Sequence, residues 1–257
     1  MKNIITLITT SSLLLAASCN KENTTPPIDT ARVEFSFKAT YGGETLVLNQ
    51  KTYDYLGRPV RFSKINFYLS DLVVTNNDGD TELSEIQFID LTATHATPAT
   101  AMDGTSMSFS NVPVGSYTKL KFGIGVPADL NRTTPADYSS SHPLGADNSS
   151  EYWEAWDSYI FAKIEGQYDV DGDGFDSEDI SFAYHTGTDR VYQRLELDNQ
   201  KSLNAGETTR FNFELDIREL FTLPKGDLIE LEQHDPNNQV EEMIVIMSNF
   251  KKALQLM

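Results

Sequence analysis

The sequence predicts an all-β protein: an antiparallel β-sandwich with long loops and at most one or two short helices. Three observations lead there. Apolar and polar residues alternate over short runs, the period of a half-buried strand. Gly, Asn, Asp and Pro punctuate those runs as turn signals. There is no heptad, no fixed-period repeat and no strand–helix–strand alternation, which leaves a sandwich of roughly ten short strands.

A chain of 257 residues can bury a sizeable core. The formal net charge of -18 excludes a nucleic-acid partner, because phosphate backbones need clustered Lys and Arg that this chain lacks. The same charge attracts cations.

Residues 1–18 stand apart from the fold. Lys2 supplies a positive start, and Ile4 to Ala17 forms an apolar run too short to span a bilayer, which together mark a secretion signal. Leu15-Ala16-Ala17-Ser18-Cys19 resembles the bacterial lipoprotein signal, whose cysteine is lipidated and becomes the mature N-terminus. Here the leucine lies four residues before the cysteine instead of three; the alternative is an ordinary cleaved signal. Cys19 is the only cysteine, so no disulfide partner competes for it. Lipidation at Cys19 predicts an outer-membrane lipoprotein of the bacterial envelope, facing the periplasm or the cell surface. Residues 19–31, with Thr24-Thr25-Pro26-Pro27, bury little and form a tether. A single domain is expected over 32–257.

Val33-Glu34-Phe35-Ser36-Phe37 alternates and turns at Gly42-Gly43 toward Leu46-Val47-Leu48, an opening hairpin or long-loop pair. Arg61 to Val74 is a longer strand carrying a bulge. Asn76-Asn77-Asp78-Gly79-Asp80 turns it back along Glu85 to Leu91. Thr92 to Thr105 lacks apolar anchors and is expected as a surface loop carrying His95 and Met102. Met107-Ser108-Phe109 and Thr118 to Val126 are strands joined through Pro113-Val114-Gly115. Pro127 to Ser150 is a long loop with one helical turn near Ala128 to Leu130.

Tyr159 to Gly166 and Ile180 to His185 form a strand pair around an acidic loop, with His185 at the exit of the second strand. Val191 to Leu197 and Thr209 to Leu215 alternate cleanly about the Asn204-Ala205-Gly206 turn. Ile217 to Phe221 is a short helix before Pro224, and Met243 to Met247 closes the chain with Lys251-Lys252.

Candidate chemistry concentrates between Glu151 and Gly187. Asp169-Val170-Asp171-Gly172-Asp173-Gly174 matches the first half of a calcium loop, where alternate carboxylates converge on one hard cation. Position twelve, which needs a bidentate Glu, is Ile180. Calcium at Asp169, Asp171 and Asp173 therefore stands against a plain acidic hairpin tip. Histidine suits transition metals, and the chain holds His95, His142, His185 and His234. His234, before Asp235-Pro236, reads most simply as a turn residue, and the two tryptophans as core or rim anchors. No Gly-x-Ser-x-Gly elbow is present and nothing singles out a carboxylate pair, so an enzyme is not expected.

Phe67-Tyr68-Leu69-Ser70-Asp71-Leu72, Pro113-Val114-Gly115-Ser116-Tyr117, Phe122-Gly123-Ile124-Gly125-Val126, the Trp153/Trp156 segment, the Lys163-x-Glu165-Gly166 ending and His185-Thr186-Gly187 resemble the MbnP-like exported proteins, in the family's order across most of the mature chain. The resemblance implies an exported β-sandwich. It also implies copper held by histidines and by a tryptophan oxidised to kynurenine, with a diheme peroxidase-like partner performing the oxidation. On that pattern His185 matches the His-x-Gly histidine and Trp153 the first tryptophan of Met-x-Trp-x-Trp. Glu151 stands where the methionine is expected, and the second tryptophan is displaced by one, to Trp156. No histidine follows either tryptophan by two residues, so His142 is the candidate for the missing ligand.

The functional expectation is a lipid-anchored metal-binding protein for copper acquisition or delivery. Its rival is a cell-surface interaction module, stiffened by calcium, that binds a protein or glycan. A hydrolase with paired carboxylates is the third reading.

Overall fold

Alternation in the first strand sets the core. The computed structural model describes residues 29–229 and 240–257; the leader, Cys19 and His234 lie outside them. Strand β1 (Thr30–Tyr41) buries Val33, Phe35, Phe37 and Ala39 on one face. It begins inside the expected tether, because Thr30 and Ala31 already pair with Pro113 and Val112. Gly42 and Gly43, both at positive φ, turn it into β2 (Glu44–Thr45). The opening hairpin is thus shorter than expected: Leu46, Val47 and Leu48 leave the sheet and are buried.

β3 (Tyr53–Tyr55) pairs with β4 (Arg58–Asn76), which bulges as expected and holds Asp71 at a φ of 48°. The turn at Asn76 leads into β5 (Gly79–Asp90). After helix α1 (Pro98–Asp103) come β6 (Thr105–Pro113) and β7 (Gly115–Ile124). The long loop holds 3-10 turns at Leu130–Arg132, Pro135–Asp137 and Ala146–Glu151, then β8 (Tyr152–Trp153). β9 (Ser158–Tyr168) and β10 (Ile180–Gly187) flank the acidic loop. β11 (Gln193–Leu203), β12 (Thr208–Asp216), α2 (Ile217–Leu220), α3 (Val240–Ala253) and β13 (Leu254–Leu256) complete the described chain.

Two sheets pack face to face. One has the order β13-β12-β1-β2, with β6 also on β1; the other runs β10-β9-β4-β7-β11, with β3 and β5 on β4 and β8 on β9. The turns at Pro113-Val114-Gly115 and Asn204-Ala205-Gly206 each carry the chain from one sheet to the other. Pairing is antiparallel except for β1 with β12, which run parallel with Phe35 beside Phe211 and Phe37 beside Phe213. These rings stack at 5.0 and 5.2 Å, and the ladder meets the second sheet edge-on through Phe37–Phe67 and Phe122–Phe213.

The apolar run at Met243 to Met247 belongs to α3, despite the β-branched Ile244-Val245-Ile246. Helical spacing buries Met243, Ile246, Met247 and Phe250 against the core, where Phe250 meets Phe67 at 5.5 Å, and this packing overrides propensity. Glu241 and Glu242 in the first turn and Lys251 and Lys252 in the last suit the helix dipole.

The expected surface loop at Thr92 to Thr105 differs as well. Thr97 caps α1, Met102 is exposed, and His95 is fully buried. His95 Nε2 accepts the Ala39 N–H at 2.8 Å, which leaves Nδ1 as the protonated nitrogen facing Leu91 O at 3.0 Å. Both ring nitrogens are committed to the backbone, so His95 is a structural residue.

Burial holds the His95 pKa below its ordinary value. As pH falls, the unfolded chain takes up the proton first, so this contribution to stability is complete above about pH 6.5 and declines below it. Urea unfolding of wild type and His95→Gln at pH 7.5 and pH 5 tests this. The stability gap between them should narrow at the lower pH; a constant gap refutes it.

Candidate metal centre

Every residue of β9 from Ser158 to Ile164 is buried, so both faces of this strand are covered. The inner face meets the core. The outer face is roofed by the segment from Ala146 to Trp156, which is tied down by the pairs Tyr152 with Tyr159 and Trp153 with Ser158. Asp157 closes that short hairpin at a φ of 51°, and its Oδ1 accepts the Tyr152 hydroxyl at 2.7 Å.

Register places Asn66, Lys163 and His185 in one row across β4, β9 and β10, on the outer face. Lys163 lies under the roof with 5% of its surface exposed. A cation there needs a partner, and Glu151 Oε2 stands 2.9 Å from Nζ, close enough to pair though off hydrogen-bond alignment. Nζ donates to Ser150 O at 3.0 Å, and Glu151 Oε1 accepts from Ser150 Oγ and Asn66 Nδ2. The residue at the resemblance's methionine position is therefore a carboxylate committed to a buried ion pair.

His185 sits at the open end of the row. Its Nε2 is 2.8 Å from Glu165 Oε1. That hydrogen bond holds the Glu165 carboxyl below the usual carboxylate range. An ionised carboxylate only accepts, so Nε2 carries a proton, and in the neutral imidazole Nδ1 presents its lone pair. Trp153 meets the imidazole edge-on at 6.0 Å and stacks on Trp156 at 4.8 Å and 14°. Both indoles are half-buried, within the core-or-rim expectation. Trp156 lies against Gly187, where a Cβ would come within 2.9 Å of the indole and 2.8 Å of Tyr159 O. The glycine two residues after His185 is thus a steric requirement of the tryptophan pair.

The structure brings His185 and Trp153 together but not His142. The His142 ring stacks on Tyr138 at 4.2 Å, its Nδ1 accepts from Leu144 N, and it makes no hydrogen bond or ring contact with the tryptophan cluster. Glu165 and Lys163 were not singled out as site residues in the sequence. Hairpin register carries the signal for Glu165: Ala183 is its direct partner, so His185 is its diagonal neighbour.

At the far end of the same hairpin, Asp169, Asp171 and Asp179 each bring a carboxylate oxygen within 4.8 Å of the others. Among the described residues they are the one such convergence of three or more His, Cys, Asp or Glu ligands. Asp173 falls outside the group, and repulsion from Asp171 raises its pKa. Counting forward through a calcium loop ends at Ile180. The hairpin instead returns Asp179, whose Oδ1 accepts Val170 N at 3.1 Å.

As a donor set for copper, the cluster at His185 offers one imidazole nitrogen with a free lone pair, a carboxylate behind it and two indoles, with no thioether among the contacts described. The imidazole fits copper. An unmodified indole offers no ligand lone pair, so Trp153 serves as a ligand only in an oxidised form.

Fold and cluster define the class: a two-sheet β-sandwich presenting one carboxylate-held histidine beside a tryptophan pair. The chain belongs to the MbnP family, whose model, described as MbnP, matches residues 30–245. Among solved structures it is similar to MbnP from Methylosinus trichosporium, with a TM-score of 0.55 and 14% identity over 81% of this chain and 82% of that one, a likeness of fold. No curated protein matches the sequence.

Removing one member of the buried pair leaves the other charge uncompensated. Lys163→Met should cost about 3–5 kcal/mol in urea unfolding, and adding Glu151→Leu should restore most of it. Equal losses in the single and double variants would show that the pair itself is not the source.

Proposed function

We propose that this chain is an exported, lipid-anchored copper-binding protein that acquires or delivers the metal, and that it acts by binding, not catalysis. Membership in the MbnP family supports a metal-related exported role. The observation that carries copper to particular residues is His185 beside Trp153, with Nδ1 unpartnered among the described residues. His185 would hold the metal. Oxidation of Trp153 to kynurenine, with one carbon lost and one oxygen gained, would add an aryl amine and a ketone as donors. A diheme peroxidase-like partner would catalyse this oxidation, as the family resemblance suggests, with a peroxide as the oxidant and the indole C2 carbon leaving as formate. His142 would join only if the loop from Pro127 to Ser150 rearranged. Lipidation at Cys19 would hold the domain at the outer membrane through the tether, facing the periplasm or the cell surface.

Copper content and intact mass of the protein purified from its native envelope test this reading, beside His185→Ala. One copper per chain, lost in the variant, together with the mass change of a kynurenine, is the expected result. Copper-free wild type, or a variant that retains the metal, refutes it.

A second reading is favoured by the convergence of Asp169, Asp171 and Asp179: a surface module stiffened by calcium at this hairpin tip, binding a protein or glycan. On this reading calcium raises the melting temperature by about 3 °C or more at millimolar concentration, since a ligand at 100 times its Kd adds about 2.7 kcal/mol. Asp179→Asn should abolish the rise and Asp173→Asn should leave it. A wild-type melting temperature indifferent to calcium and to chelator removes the reading.

A further inference from the structure

We infer that Glu165 is the positioning residue of the copper site, fixing His185 as the Nε2–H tautomer so that the metal is bound through Nδ1. The inference rests on the copper reading at His185 and adds to it the atom that binds and the residue that selects that atom.

A neutral imidazole carries one proton, and whichever nitrogen keeps it cannot bind a metal. On a solvent-facing histidine the two tautomers interchange. Here Glu165 Oε1 stands 2.8 Å from Nε2 and, as an ionised carboxylate, can only accept. Among the described residues Nδ1 has no hydrogen-bond partner. The ring is further restrained by the edge-on Trp153 and by its place on β10, so its Nδ1 is preorganised without a ligand. A carboxylate behind a metal-binding imidazole orients it and raises its basicity, and removing such a partner costs about 10–100-fold in metal affinity.

Lys163 does not compete for Glu165: its ammonium is turned toward Glu151 and Ser150. The outer face thus holds two carboxylates with separate duties. Glu151 neutralises Lys163 and anchors the roof, whereas Glu165, half-buried beside His185, is free to act on the imidazole.

The test uses the full chain with 15N-labelled histidine, free and loaded with Cu(I), which is diamagnetic. Long-range 15N–1H spectra should report Nε2–H for His185 in the free protein and metal on Nδ1 in the loaded one. Competition against a chromophoric Cu(I) chelator should show affinity about 10–100-fold weaker in Glu165→Leu, with Glu165→Gln between the two. Near-UV circular dichroism should be unchanged, and the His185 tautomers should mix in the leucine variant. Metal on Nε2, or a Glu165→Leu variant that binds as tightly as wild type, overturns this inference and leaves the copper reading standing. Wild type that binds no copper brings down both.

Discussion

The organisation of this protein depends on β9 being covered on both faces. A strand in a sandwich ordinarily shows one face to the core and one to water. In β9 the segment from Ala146 to Trp156 folds over the second face, and a lysine that would otherwise be solvated becomes buried. Bringing that charge out of water is costly, and a partner within the roof limits the cost only when its geometry is held. Glu151, with Ser150 and Asn66, provides it, so the roof has one seating.

That seating sets where the tryptophans go. Trp153 leaves β8 directly after the residues that bind Lys163, and the left-handed turn at Asp157 brings the chain back into β9. Between the two, Trp156 drops onto Gly187 and stacks with Trp153, which presents its ring to His185. Trp156 packs against the edge of the core, whose aromatic ladder runs through Phe35, Phe37, Phe211 and Phe213 elsewhere. Glu151, at the position where the family resemblance expects a methionine, is instead the electrostatic anchor of Lys163.

The β9–β10 hairpin also separates two kinds of chemistry along one ladder. Its open end gathers nitrogen and aromatic groups, and its tip gathers carboxylates in an already acidic chain. Imidazole nitrogen suits borderline metals and carboxylate oxygen suits hard cations.

What the sequence determined by itself was whatever depends on local pattern. Period-two alternation located most strands, and Gly, Asn and Pro located the turns, because these signals lie within a few residues of one another. Even the short helix at Ile217 announced itself before Pro224. Tertiary structure decided everything that depends on who lies opposite. It turned β-branched Ile244-Val245-Ile246 into a helix, buried His95 from an apolar-poor loop, made β1 and β12 parallel, and sent two plain turns between sheets. It also chose Asp179 over Asp173, kept His142 with Tyr138, and set Glu165 behind His185. These are long-range pairings and registers, fixed by the packing of residues far apart in the chain, and no local spacing encodes them.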